Sequence, residues 1–132
     1  MSFDPRAMGT PVYEALSELR KDYPKEKYES RLKEQKGQAV ELYTYLATWG
    51  MMRLKAEENA LSQDGKKDVV KAYFKCLEKI SEQPKLDGSN GLATLKELTT
   101  EDYLGLTGLG LTVAQEFSFW ATAVYHDVKG EA

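Results

Sequence analysis

A chain of 132 residues, 42% hydrophobic and 30% charged, has the length and balance of one globular domain with a genuine core. Its net charge of −3 excludes a uniformly basic nucleic-acid binder but leaves room for a local basic face. The single cysteine, Cys76, excludes an internal disulfide, and with one histidine, His126, it cannot make an ordinary zinc site.

The N-terminal Met1-Ser2-Phe3-Asp4-Pro5 lacks the basic-then-apolar pattern of a signal peptide. Residues 1–9 are expected to be loose. Thr10-Pro11 reads as a helix opening, a capping hydroxyl before a proline. Val12, Leu16 and Leu19 give a short apolar stripe, and Tyr23-Pro24 should end or kink this helix. From Lys25 to Lys36 the sequence is rich in Lys, Glu and Arg, helical on propensity and mostly solvated. Gly37 marks an expected break or bend. Gln38 to Leu61 is a second strong helix, with Val40, Tyr43, Ala47, Gly50, Met51 and Leu54 on one stripe. Leu42, Leu46 and Trp49 widen that stripe.

Asp64-Gly65 is a turn, and Lys66 to Glu82 a third helix with Val69, Val70, Tyr73, Phe74, Leu77 and Ile80 facing inward. Pro84 to Gly91 is a loop by its breaker residues. Leu92 to Leu98 is a short helix leading into the last. That last stretch, Thr99 to Val128, organises the chain. Two threonines and two acids open it, and Tyr103, Leu106, Gly110, Val113, Phe117, Trp120, Val124 and Val128 recur at steps of three or four. Its apolar middle could be mistaken for a membrane span, but Gln115 and Glu116 make it a buried core helix. With no strand-period stretch and no repeat, the fold class is all-α. It is a single-domain bundle of about five helices with helix 99–128 at its core.

Catalytic residues are sparse. His126 at the end of the last helix reads as a cation near the negative end of the dipole rather than a general base. Cys76 reads as a small core residue rather than a nucleophile. Glu116 sits at the rim of the apolar face, where an acid reaching water is the simpler account than an ion pair or interface charge. Gly105, Gly108 and Gly110 fit neither the dinucleotide fingerprint nor the P-loop, and no strands flank them as a GxxG clamp on RNA requires. On a helix, Gly105, Thr112 and Ala123 share nearly one angle, with Gly108 close by. This gives a smooth groove beside the aromatic stripe where another helix can approach. The helix that approaches there can be internal or belong to another subunit; in the second case Gly105, Gly108 and Phe119 are the expected interface residues.

The clearest surface signal is electrostatic. Lys67, Lys71, Lys75 and Lys79 repeat at four-residue steps with Lys66 beside them, which places ammonium groups about 6 Å apart along one ridge. Phosphates of a nucleic-acid strand are spaced similarly. A second basic concentration runs through Arg20, Lys21, Lys25, Lys27, Arg31, Lys33 and Lys36, diluted by Glu26, Glu29 and Glu34. A solvated helix face explains any one such stripe. Two in an acidic chain point to sequence-independent contact with a phosphate backbone.

Three stretches resemble a known family, the small subunit of type III CRISPR effector complexes, particularly the Cmr (type III-B) small subunit. The first is Glu26-Lys27-Tyr28-Glu29-Ser30-Arg31 leading to an apolar helix that closes on Leu54-Lys55-Ala56-Glu57. The second is Val70-Lys71-Ala72-Tyr73-Phe74. The third is Leu98-Thr99-Thr100-Glu101-Asp102-Tyr103, with Trp120 further along the same helix. The match spans roughly residues 25–128. Lys36-Gly37-Gln38 replaces the family's proline and Asn-Gly signals, and Ala121-Thr122-Ala123 stands where basic residues tend to follow the tryptophan.

The resemblance implies a cytoplasmic all-α protein with no catalytic activity and no cofactor or metal. Several copies would stack head to tail beside the backbone and large subunits, lining the groove where guide RNA pairs with target RNA. Since the last helix lacks the basic residues, Arg53, Lys55 and the lysines 67–79, with Arg31, become the expected RNA contacts. The competing expectation is a helical protein–protein adaptor working through the apolar surface near Gly105 and Phe119. An enzyme using Glu116 or His126 is the least supported, since neither has a visible partner.

Overall fold

The computed structural model describes residues 6–130. Among them lie six helices and no strand. They are α1 (Arg6–Lys21), α2 (Lys25–Trp49), α3 (Met51–Ala60), α4 (Asp64–Ser81), α5 (Gly91–Glu97) and α6 (Thr100–Val124). The helix α6 packs chiefly on α2 and α1, while α4 packs on α2, α1 and α3.

The opening of α6 follows from its sequence. Thr99 is extended, and its hydroxyl accepts a hydrogen bond from the Asp102 N–H at 3.1 Å. Glu101 and Asp102 occupy the first turn, where negative charge meets the positive end of the dipole. Leu106, Val113, Phe117 and Ala121 are buried, as the three-and-four spacing requires. Gly110 faces α4. The Tyr73 hydroxyl donates to the Gly110 carbonyl at 2.8 Å, and a Cβ at Gly110 would lie 2.6 Å from that hydroxyl oxygen and 2.3 Å from Met51 Cε. A side chain there would force Met51 Cε aside and press on the Tyr73 hydroxyl. The helix also stops short of the expected Val128. It ends at Val124 because Tyr125 leaves helical geometry (φ −106°, ψ 30°) to bury its ring.

The first helix starts before Thr10-Pro11, so residues 6–9 are helical rather than loose; residues 1–5 lie outside the described part. Packing explains the earlier start. Gly9 is buried against α6, where a Cβ would stand 3.2 Å from Glu116 Oε1 and 3.3 Å from Trp120 Nε1. Pro11 then lies inside the helix. The carbonyl it leaves unpaired belongs to Ala7, which is exposed.

The expected break at Gly37 does not occur. Gly37 is buried inside a continuous α2, which kinks instead at Tyr28 (φ −123°, ψ 36°). The chain breaks at Gly50, where φ is 90°, a conformation costly for any side-chain-bearing residue. That break divides the expected 38–61 helix into the end of α2 and α3, and so raises the count from five helices to six. It also shifts the stripe. Leu32, Ala39, Leu42 and Leu46 form the buried face of α2, while Ala47 is exposed. Ser118 of α6 reaches that face and donates to the Ala39 carbonyl at 3.1 Å.

Candidate nucleic-acid interface

The third-helix lysines fall on α4, whose opposite face carries Val69, Tyr73, Phe74 and Leu77 into the core. Lys71, Lys75 and Lys79 are exposed, and Lys67 is half-buried one turn earlier. Among the described residues, no carboxylate oxygen lies within 4.0 Å of these ammonium groups. The ridge expected from the sequence therefore exists, with its charges not neutralised by direct ion pairs.

Its surroundings were not legible in the sequence. Lys71, Lys75 and Lys79 form one wall of a groove of about 600 Å³ between α4 and α1. Glu14 and Glu18 of α1 and Asp22 just past its end line it opposite at the same four-residue spacing, and Asp68 and Asp87 line it as well. Ala15, Leu19, Ala72 and Cys76 also line it. The groove thus sets a basic row against an acidic row. The acids could have been found as a second period-four pattern, but only the fold shows that the two patterns face the same space. Cys76 itself is buried, and burial pushes its thiol up to about 11, which disfavours the thiolate.

Of the expected RNA contacts, Lys55 is buried and Arg31 is engaged within the fold. Lys55 is only 3% exposed, because α3 turns it inward. Its ammonium pairs with Glu58 at 3.1 Å and sits 4.6 Å from the centre of the Phe74 ring. It also packs on Gly91, where a Cβ would come within 2.2 Å of Lys55 Cε. Arg31 is half-buried and holds Asp68 through two bonds of 2.8 Å. The bond to Asp68 raises the guanidinium pKa further above its ordinary value, and the ring of Tyr23 lies 4.2 Å from it. Lys55 is enclosed, and Arg31 is engaged by Asp68 with part of its side chain still exposed. Arg53 faces outward, but on the elbow between α2 and α3, where its guanidinium lies 4.6 Å from the ring of Trp49. Trp49 is 54% exposed, so this pair is a flat cation–aromatic platform apart from the α4 ridge.

The second basic concentration is mostly used within the fold. Arg20 binds Asp127 through both terminal nitrogens and also donates to the Val124 carbonyl. Lys25 donates to the Asp127 carbonyl and Lys36 to the Val128 carbonyl, each at 2.8 Å. Lys33 pairs with Glu29. Arg20, Lys25 and Lys36 clamp the turn that follows α6. Beneath them Gln35, fully buried, donates to Asp68 at 3.0 Å and accepts from the Tyr125 hydroxyl at 2.7 Å.

No family model, curated protein or solved structure matches this chain.

The three expected interface residues do share one outward surface. Gly105 and Gly108 have nothing within 4 Å of where a Cβ would stand, and Phe119 is 60% exposed. Trp120, on the neighbouring angle, instead packs edge-on against Tyr13 of α1, so the tryptophan of the resemblance fastens α1 to α6. Glu116 is half-buried at that seam. His126 is exposed, its Nδ1 3.1 Å from the Ala123 carbonyl. Among the described residues, no three His, Cys, Asp or Glu side chains are grouped so as to hold a metal ion. No helix of the described part is long and apolar enough to cross a membrane.

Proposed function

We propose that this chain is the non-catalytic small subunit of a type III-B (Cmr) CRISPR RNA-guided effector complex. Its copies stack beside the backbone and large subunits, and the α4 ridge contacts the phosphates of the guide–target RNA. One observation carries the reading: Lys71, Lys75 and Lys79 are presented outward at one-turn intervals, with no carboxylate of the described residues within ion-pair distance, on a chain of net charge −3. The three stretches that resemble the family support it from the sequence side. The acidic row on α1 limits the contact to the outer edge of the ridge, since a strand laid inside the groove would meet Glu14, Glu18 and Asp22.

Titration with single-stranded RNA tests this reading. Binding is expected at low salt and should fade as salt rises. In the variant Lys71→Glu/Lys75→Glu the slope of log affinity against log salt should fall by roughly 1.4 to 2. Salt-insensitive binding, or none either alone or in the assembled complex, would refute the reading.

A specific observation favours a second reading, a protein–protein adaptor. An apolar floor between a basic and an acidic wall fits an amphipathic helix with acids on one flank and bases on the other. Recovery of protein partners that persists after nuclease treatment, together with an inert RNA titration, would select it.

A further inference from the structure

The outward face of α6 is uncovered. Leu104 is 64% and Phe119 60% exposed, and Gly105, Gly108, Gln115, Thr122 and Ala123 stand exposed along the same side. Between Leu104 and Ala123 the only charged side chain is Glu116, which lies against Gly9 of α1 and so leaves this face uncharged. The face runs about 28 Å at 1.5 Å per residue. Acidic Glu101 stands at its start and His126 just past its end.

The order of large and small residues along this face is self-complementary when read backwards. We infer that two copies of the free chain pair antiparallel through α6, about a two-fold axis passing between Val113 and Ala114. In that single register Phe119 of one copy fills the space left by Gly108 of the other. Leu104 meets Ala123, Gly105 meets Thr122, and Thr112 meets Gln115, a hydroxyl against an amide. Glu101 meets His126, the carboxylate beside the imidazole. Each bulky or charged group finds its complement twice, as a closed two-fold interface demands. A parallel pairing would set Phe119 against Phe119 and glycine against glycine. The open glycines let the helix axes approach to the short end of the usual 8–10 Å.

This pairing is independent of the RNA reading. One helix face per copy is a small interface, so the dimer is weak and forms from micromolar to submillimolar protein.

Sedimentation equilibrium across that range tests it, with a mass approaching twice 14.9 kDa expected at the upper end. Gly108→Lys should return the protein to a monomer with unchanged helix content by circular dichroism, since lysine is the better helix former. Register is tested by mixing separately prepared Gly105→Cys and Thr122→Cys proteins under mild oxidation; the native Cys76 is buried. The mixed disulfide should form in preference to either homodisulfide. A wild-type monomer throughout, a dimer that survives Gly108→Lys, or homodisulfides alone would each overturn the proposal.

Discussion

Between Arg20 and Lys36 most of the cations work on the chain itself, whereas Lys71, Lys75 and Lys79 face outward. In sequence the two stretches look alike, both rich in lysine and both helical. In space the first lies beside the turn after α6, and Arg20, Lys25 and Lys36 bond to its carbonyls and to Asp127. The second lies on a helix whose neighbour α1 offers carboxylates across a groove but none within ion-pair reach. A charge run on a helix therefore says little until the packing shows which carbonyls and acids lie opposite.

The contrast breaks most sharply at Asp68. Its carboxylate takes two bonds from Arg31 and one from the fully buried Gln35. Asp68→Ala leaves both donors without their acceptor, which is expected to cost about 3 kcal/mol. Urea unfolding would measure it. A loss below half a kcal/mol would mean that Arg31 is as free as Lys75. Next in size is Gly110→Ala, where a methyl meets Met51 Cε and the Tyr73 hydroxyl. The thioether can move aside, but Tyr73 is held by its own bond to Gly110, so about 2 kcal/mol of destabilisation is expected.

Acid titration separates the two regions without mutating the core. The bond from Arg20 holds Asp127 well below the ordinary carboxylate pKa of about 3.9. A carboxylate with a depressed folded pKa contributes stability that is complete above the unfolded value and is lost as the pH falls through the folded one. Asp127→Asn should therefore flatten the fall in stability below about pH 4. The ridge lysines have no such partner among the described residues, and their substitution should leave that acid limb unchanged. Thermal unfolding from neutral to strongly acidic pH makes the comparison.

The part of this fold that is legible in sequence is the part governed by neighbours in sequence. Leu106, Val113 and Phe117 announce the buried face of α6 by spacing, and Thr99 announces its cap. Gly37 and Gly50 could not be told apart in this way. A glycine breaks a helix when the chain turns there and is merely close packing when a neighbour presses on it. The fate of Lys36 was equally hidden, because the carbonyl it meets belongs to Val128. For the candidate site, the lysine period was visible, but whether Gly105 and Gly108 face another helix of the chain or open space was not. The inward turn of Lys55 was hidden too. A lysine between Leu54 and Ala56, with Arg53 and Glu57 beyond them, reads as a surface residue, and only Phe74 and Gly91, brought up from α4 and α5, explain its burial.

The smallest expected effect is on stability at the ridge itself. In Lys71→Gln/Lys75→Gln/Lys79→Gln, glutamine matches lysine in helix propensity, so the backbone of α4 is unaffected. Relief of like-charge repulsion at four-residue spacing gains a few tenths of a kcal/mol per pair. Loss of attraction across the groove to Glu14, Glu18 and Asp22 takes back a similar amount, since these exposed charges are well screened. Stability should stay within about 0.5 kcal/mol of the parent. Affinity for RNA should fall while the urea midpoint holds. Were the midpoint to drop by several times that amount, the three lysines would belong with Arg20 and Arg31 as structural cations, and the difference between the two regions would vanish.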